Sequence, residues 1–221
     1  MPFWPAINKK EQVFLTHEEL SRLLDACSDS PIGDFVTLIG LTGMRKSEAR
    51  GLRWRDIDIS TGDIHIRKAM RYVNHVGMVD GETKNDWSVR KIELNPESNV
   101  FNMLASRRAV RSAELLMAGA KVQDTDLVFC YGDGKPWGDR YIFNHFKEIL
   151  EQAGITKDIG LKSLRHTYAT LNLQHDELQN VSRTLGHSSI RTTHDIYGHV
   201  IPGSNRKASK RFTEAIKQYS A

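Results

Sequence analysis

The sequence predicts a mostly helical α+β domain with one small, three-stranded antiparallel sheet. Three observations carry that expectation. Apolar residues recur at helical spacing through most of the chain, and the period drops to two in the stretch between residues 56 and 94. Turn chemistry falls where the period changes.

Residues 1–15 hold two prolines and little periodicity, and read as a linker or arm. In "THEELSRLLDAC" Thr16 can cap a helix and Glu19 can close a capping box, with Leu20, Leu23 and Leu24 inward. "DFVTLIGLTG" is a second, strongly apolar helix ending near Gly43. "SEARGLRWRDID" gives a short third helix, with Ser47 as its expected cap. "DIDIS" and "DIHIRKA" then alternate around the turn "STGD", and "SVRKIEL" alternates again after a long connection containing "DGETKND". From Pro96 onward helical patterns cover 98–117, 139–153, 161–174, 177–186, 189–199 and 205–219. Pro202 and Gly203 set the last of these apart, so the expected organisation is an arm (1–15), one domain (16–201) and a C-terminal helix (202–221).

Composition narrows the class. The chain has 221 residues, 39% of them hydrophobic and 26% charged, which is ordinary for a globular domain with a sizeable core. No apolar run is long enough to span a bilayer, and the start lacks the order of a signal peptide. Cys27 and Cys130 have neither metal-ligand spacing nor a disulfide framework, so a reducing cytoplasm fits. The net charge of +4 leans towards polyanions without identifying one. The basic clusters "RRAVR" and "NRKASKR" read as solvated helix faces.

A few residues have chemistry beyond packing. Leu161, Leu164, Tyr168 and Leu171 form the inward stripe of "LKSLRHTYATL". Lys162 and Arg165 share a face about 100° away, at the expected rim of the core. They are either snorkelling cations or a pair placed for an anion. Arg45, between an apolar helix and the next cap, can be held rigidly for bidentate phosphate contacts, or can pair with Glu48. In "RTLGHSSIRTTHDIYGHV", His187 follows a glycine cap, and Ile190, Thr193, Tyr197 and Val200 form an inward stripe, so Tyr197 alone reads as a core tyrosine.

Taken in order, "LTGMRKSEARGLRWRDID", "TKNDWSVRKIEL", "LKSLRHTYAT" and "LGHSSIRTTHDIYGHV" resemble the catalytic domain of the tyrosine recombinase (phage integrase) family, over most of residues 13–201. The resemblance implies that Arg45 and Arg165 grip a scissile DNA phosphate and that Tyr197 is the nucleophile. It also implies that His187 hydrogen-bonds the phosphate and that Lys84 protonates the leaving oxygen. Lys162 stands where the family usually has histidine, and a lysine there can still bind phosphate. His166, by contrast, is expected to pack and hydrogen-bond in the core. The implied activity is site-specific breaking and rejoining of double-stranded DNA through a 3′-phosphotyrosine, without ATP, metal or other cofactor. The implied assembly is a homotetramer on DNA in a bacterial cytoplasm, serving a prophage or mobile element. A type IB-like topoisomerase and a degenerate DNA-binding relative are the alternatives. Relatives usually carry a preceding helical core-binding domain, which these residues leave no room for, and often dock the C-terminal segment on a neighbouring protomer.

The chemistry needs such groups. A phosphodiester under attack spreads negative charge that fixed guanidiniums can meet. A tyrosine with pKa near 10 is only about a thousandth ionised at neutral pH, and a 5′-alkoxide leaves poorly without a general acid. There is no GxxxxGK[ST] loop for nucleotide hydrolysis and no HExxH-type metal spacing.

Overall fold

The computed structural model describes residues 13–73, 75–82 and 89–198. Helix α1 (His17–Ala26) starts at the expected capping box. Thr16 accepts from the Glu19 N–H, and Glu19 reaches back to the Thr16 N–H. Leu15, at the end of the expected arm, is already fully buried, and its N–H donates to the Thr167 hydroxyl at 2.9 Å. Helix α2 (Gly33–Thr42) is apolar on nearly every side and runs through the core, burying Phe35, Val36, Leu38 and Ile39. It stops at Gly43, whose φ of 67° is the left-handed conformation that glycine adopts without strain. Helix α3 (Lys46–Arg50) follows, and its cap is Arg45 rather than the expected Ser47. The Arg45 N–H donates to Glu48 Oε2 at 2.8 Å, so the reach-back acid fixes the cap at Arg45 rather than at Ser47.

A 3-10 turn (Trp54–Asp56) leads into the strands β1 (Ile57–Asp58), β2 (Asp63–Ile66), β3 (Lys68–Val73), β4 (Gly77–Glu82) and β5 (Arg90–Glu93). The three-stranded sheet is present in the order β1-β2-β5, with Ile64 opposite both Ile57 and Ile92. The stretch read as one strand, "DIHIRKA", is two. At Arg67 the chain leaves this sheet, and β3 pairs with β4 as a separate hairpin. The expected long connection therefore contains a strand of its own.

The remaining helices are α4 (Asn99–Met117), α5 (Asp139–Gln152), α6 (Leu161–Asn172), α7 (Leu178–Leu185) and α8 (Ile190–Tyr197). The basic run on α4 is less solvated than its pattern implied. Arg107 pairs with Asp34, donates to the Val128 carbonyl and lies over the Phe129 ring. Ile190, expected inward on α8, is exposed, whereas Thr193 and Tyr197 are buried. The expected C-terminal helix (202–221), Val200 and Lys84 lie outside the described residues.

Two hydrophobic clusters result. The larger joins α1–α6 with the three-stranded sheet; the smaller holds Ala169, Leu173, Val181, Leu185 and Tyr197. Helix α6 spans both, with Leu161 and Leu164 in the first and Ala169 in the second. Arg165 falls at the junction. Among the described residues no helix is long and apolar enough to cross a membrane.

Candidate active site

The junction between the clusters opens onto a cavity of about 1110 Å³ whose wall includes Arg45, Lys162, Arg165, His166, His187 and Tyr197. These residues come from three separate stretches of sequence. What brings them together is a pair of helix ends.

Helices α2 and α7 both finish at left-handed glycines, Gly43 and Gly186 (φ 65°), and both turn their last carbonyls towards α6. Arg165 donates from Nη1 to the Gly43 carbonyl at 2.8 Å and from Nη2 to the Leu185 carbonyl. Arg45 donates from Nη2 to the Gly186 carbonyl at 3.2 Å. Helix C-termini carry partial negative charge, so they orient guanidiniums without neutralising them. The glycines are also a matter of space. A Cβ on Gly43 would lie 2.5 Å from Tyr168 Cδ1, and one on Gly186 would lie 3.0 Å from Arg90 Cδ. Arg165 is therefore interior (8% exposed), not at the rim, while Lys162 on the same helix is exposed.

Glu48 is the acid at the centre. Its Oε1 accepts from Arg45 Nη1 at 2.6 Å and Arg90 Nη1 at 3.0 Å. Its Oε2 accepts from Arg90 Nη2 at 2.9 Å and from the Arg45 backbone N–H. Burial raises the carboxyl pKa, but the Arg90 hydrogen bond and charge, then Arg45, outweigh it and hold the group at about 2. Arg90, on β5, also donates from Nε to the Thr184 carbonyl at 2.6 Å, tying sheet to α7. Two guanidiniums thus share one carboxylate with the Arg165 guanidinium close by, and the cluster keeps an excess of positive charge. Arg165, without an acid of its own, is drawn down to about 9 by burial and by Arg45, and is still protonated at neutral pH.

Both histidines are neutral there. His187 is pushed down to about 4 by burial, then by Arg165 and Arg45, and its Nδ1 meets the Thr193 hydroxyl at 2.7 Å. In the tautomer whose Nδ1 accepts from the Thr193 hydroxyl, the ring N–H sits on Nε2. His166 is likewise lowered to about 4, by burial, Lys162 and Arg165, and its Nδ1 lies 2.5 Å from Tyr197 Oη. Tyr197 is 3% exposed, and burial raises its phenol to about 12 although Arg165 pulls the other way. Among the described residues no group of three or more His, Cys, Asp or Glu side chains is placed to hold a metal ion.

The expected residues Arg45, Lys162, Arg165, His187 and Tyr197 are thus brought together. Sequence reasoning passed over Arg90, and gave Thr193 and His166 to the core. Only the i, i+3 spacing of Arg45 and Glu48 signalled the buried acid.

Residues 13–203 match the Phage integrase family. The chain belongs to that family. A "Tyrosine recombinase XerC-like" protein of Caldanaerobacter subterraneus subsp. tengcongensis is 28% identical over 203 residues, 86% of this chain and 51% of the relative. The "ICEBs1 integrase" of Bacillus subtilis is 24% identical, covering 95% of this chain and 56% of the relative. The chain thus spans about half the length of the curated relatives it matches. Among solved structures, the Tn1549 transposon integrase, in complex with circular intermediate DNA, superposes with a TM-score of 0.73 at 22% identity, covering 93% of this chain and 68% of that one. The phage integrase fold is therefore shared well beyond sequence identity.

Proposed function

We propose that this domain breaks and rejoins double-stranded DNA at specific sites, with Tyr197 attacking a phosphodiester to form a 3′-phosphotyrosine. The observation that carries the reading is the excess positive charge of the Arg45, Arg90 and Arg165 cluster over its one carboxylate, Glu48, with Arg45 and Arg165 on the same cavity wall as the Tyr197 hydroxyl. A monoanionic phosphodiester fits that excess, and its charge grows as the fifth oxygen approaches. His187, neutral and with Nε2–H free of the Thr193 contact, donates to a phosphate oxygen. Lys162 adds a mobile cation at the rim. Lys84 is the general acid for the 5′-oxygen, as the family resemblance implies. The relatives' names, a recombinase and two integrases of mobile elements, support DNA as partner.

We extend the reading to a homotetramer on DNA. The same cavity continues into an apolar floor of Ile142, Phe146 and Leu150, with Phe143 exposed at its edge. The apolar stripe of Phe212, Ile216 and Tyr219 in residues 202–221 has the chemistry to fill such a floor on a neighbouring protomer.

The test is covalent capture. Nicked duplexes from a random-sequence pool are incubated with the protein, and adducts that survive denaturation are recovered and sequenced. Wild type should yield adducts on a defined site, whereas Tyr197→Phe should bind the same duplexes and yield none. Adducts persisting in Tyr197→Phe would remove Tyr197 as nucleophile.

A further inference from the structure

The reaction above has a proton to lose. Tyr197 attacks as an oxyanion, yet its phenol is buried and harder to ionise than a free tyrosine. Its proton therefore needs a defined acceptor. Among the described residues the hydroxyl has one hydrogen-bond partner, His166 Nδ1, at 2.5 Å, with the two rings 5.8 Å apart and tilted by 50°. A neutral imidazole has one acceptor nitrogen, and in the tautomer with its N–H on Nε2 that acceptor is Nδ1, placed to receive the tyrosine O–H.

The surroundings of the ring limit when it can act. Burial, then Lys162, one turn back on α6, and the adjacent Arg165 oppose protonation, and His187 faces the same cavity from the α7–α8 turn. With Tyr197 on α8, these are the titratable groups named around it among the described residues. In the free protein the ring is thus a poor base. A phosphodiester on the cavity wall sets a negative charge against those same cations and offsets their share of the opposition.

We infer that His166 is the general base that takes the Tyr197 proton, and that it acts only once a DNA phosphate occupies the arginine cradle. This rests on Tyr197 being the nucleophile. The atoms balance. The Oη–H bond breaks as Oη–P forms, and the proton passes to Nδ1. The P–O5′ bond breaks, and the 5′-oxygen takes a proton from the general acid. In rejoining, the 5′-hydroxyl attacks and returns its proton to the acid, P–Oη breaks, and the imidazolium returns its proton to Oη. The cations that bind the substrate thereby keep the nucleophile silent in its absence.

Two variants separate a base from a support. Phe at 166 keeps a ring of similar size. Asn keeps an acceptor near Nδ1 for the tyrosine O–H but cannot carry its proton. On the captured duplex, single-turnover adduct formation at pH 7 should fall about 10²- to 10⁴-fold in both His166→Phe and His166→Asn. Their rates should then climb about tenfold per pH unit as hydroxide does the work, while the wild-type rate levels off. A near wild-type rate in His166→Asn would reduce the residue to a positioning role. A variant faster than wild type would make the contact a latch on Tyr197. Either result overturns the inference while leaving Tyr197 as nucleophile; absence of adduct in wild type removes the underlying reading instead. The gate is read separately, by nitrogen NMR titration of His166 in Tyr197→Phe with and without a random-sequence duplex at low salt. The midpoint should rise on adding duplex, and an unchanged or lower midpoint would refute the gating.

Discussion

Helix α3 meets a carboxylate on each side, and the two are handled differently. On the cavity side Glu48 is 2% exposed and shared by Arg45 and Arg90. On the other side Asp139, at the start of α5, is 55% exposed and shared by Lys46 and Arg50. Both are held at about 2, Glu48 against its burial by Arg90 and Arg45, Asp139 by Arg50 and then Lys46. The buried node has four hydrogen bonds to its carboxylate and fixes the direction of a guanidinium that points at the cavity. The open node fixes α3 to α5 and leaves Arg50 Nε buried with no partner among the described residues. The lesson is that matching charge is less informative than burial: only the Glu48 node commits its cations to one geometry.

That difference can be broken by mutation. Glu48→Gln places an amide NH₂ against guanidinium donors and leaves Arg90 buried without its acid. It should destabilise the domain by about 3–5 kcal/mol in urea unfolding, the largest of these effects. A loss below about 1 kcal/mol would mean that the node orients without stabilising. Acid sharpens the same contrast. Glu48 has a folded pKa of about 2 against an ordinary 4.5, so its contribution is complete above pH 4.5 and is lost as pH falls through 2. That loss is on the order of 3 kcal/mol, and Glu48→Gln should flatten the acid limb of the unfolding midpoint. Asp139 moves in the same direction, but solvent screening at an exposed carboxylate should leave it well under about 1 kcal/mol in that titration.

Removing Asp139 is a different matter from titrating it, because Arg50 is 3% exposed. Asp139→Ala should cost about 1–3 kcal/mol through the stranded guanidinium, and adding Arg50→Met should recover part of the loss. Strict additivity of the two would show that Arg50 draws no stability from Asp139. The smallest effect belongs to Lys46→Met. Its side chain is 44% exposed, and the change should stay within about 0.5 kcal/mol in the same assay.

Much of this protein was settled locally. The capping box at Thr16 and Glu19, the left-handed stops at Gly43 and Gly186, and the alternation in β2 and β5 depend on hydrogen bonds and side-chain periods spanning a few residues. A sequence displays such features directly. The motif residues Arg45, Arg165, His187 and Tyr197 were legible for the same reason, as short patterns in a fixed order. Tertiary structure decided the rest. Alternation from Ile64 breaks at the adjacent polar pair Arg67 and Lys68, but that pair does not record that the strand changes partner there. Arg165 has the spacing of a rim cation, and only the carbonyls of Gly43 and Leu185, arriving from two other helices, make an interior position tolerable. Arg90 finds Glu48 across 42 positions and His166 finds Tyr197 across 31. Charge and proton partners at such separations are chosen by packing, because burial sets which polar groups must satisfy one another and no local pattern records it.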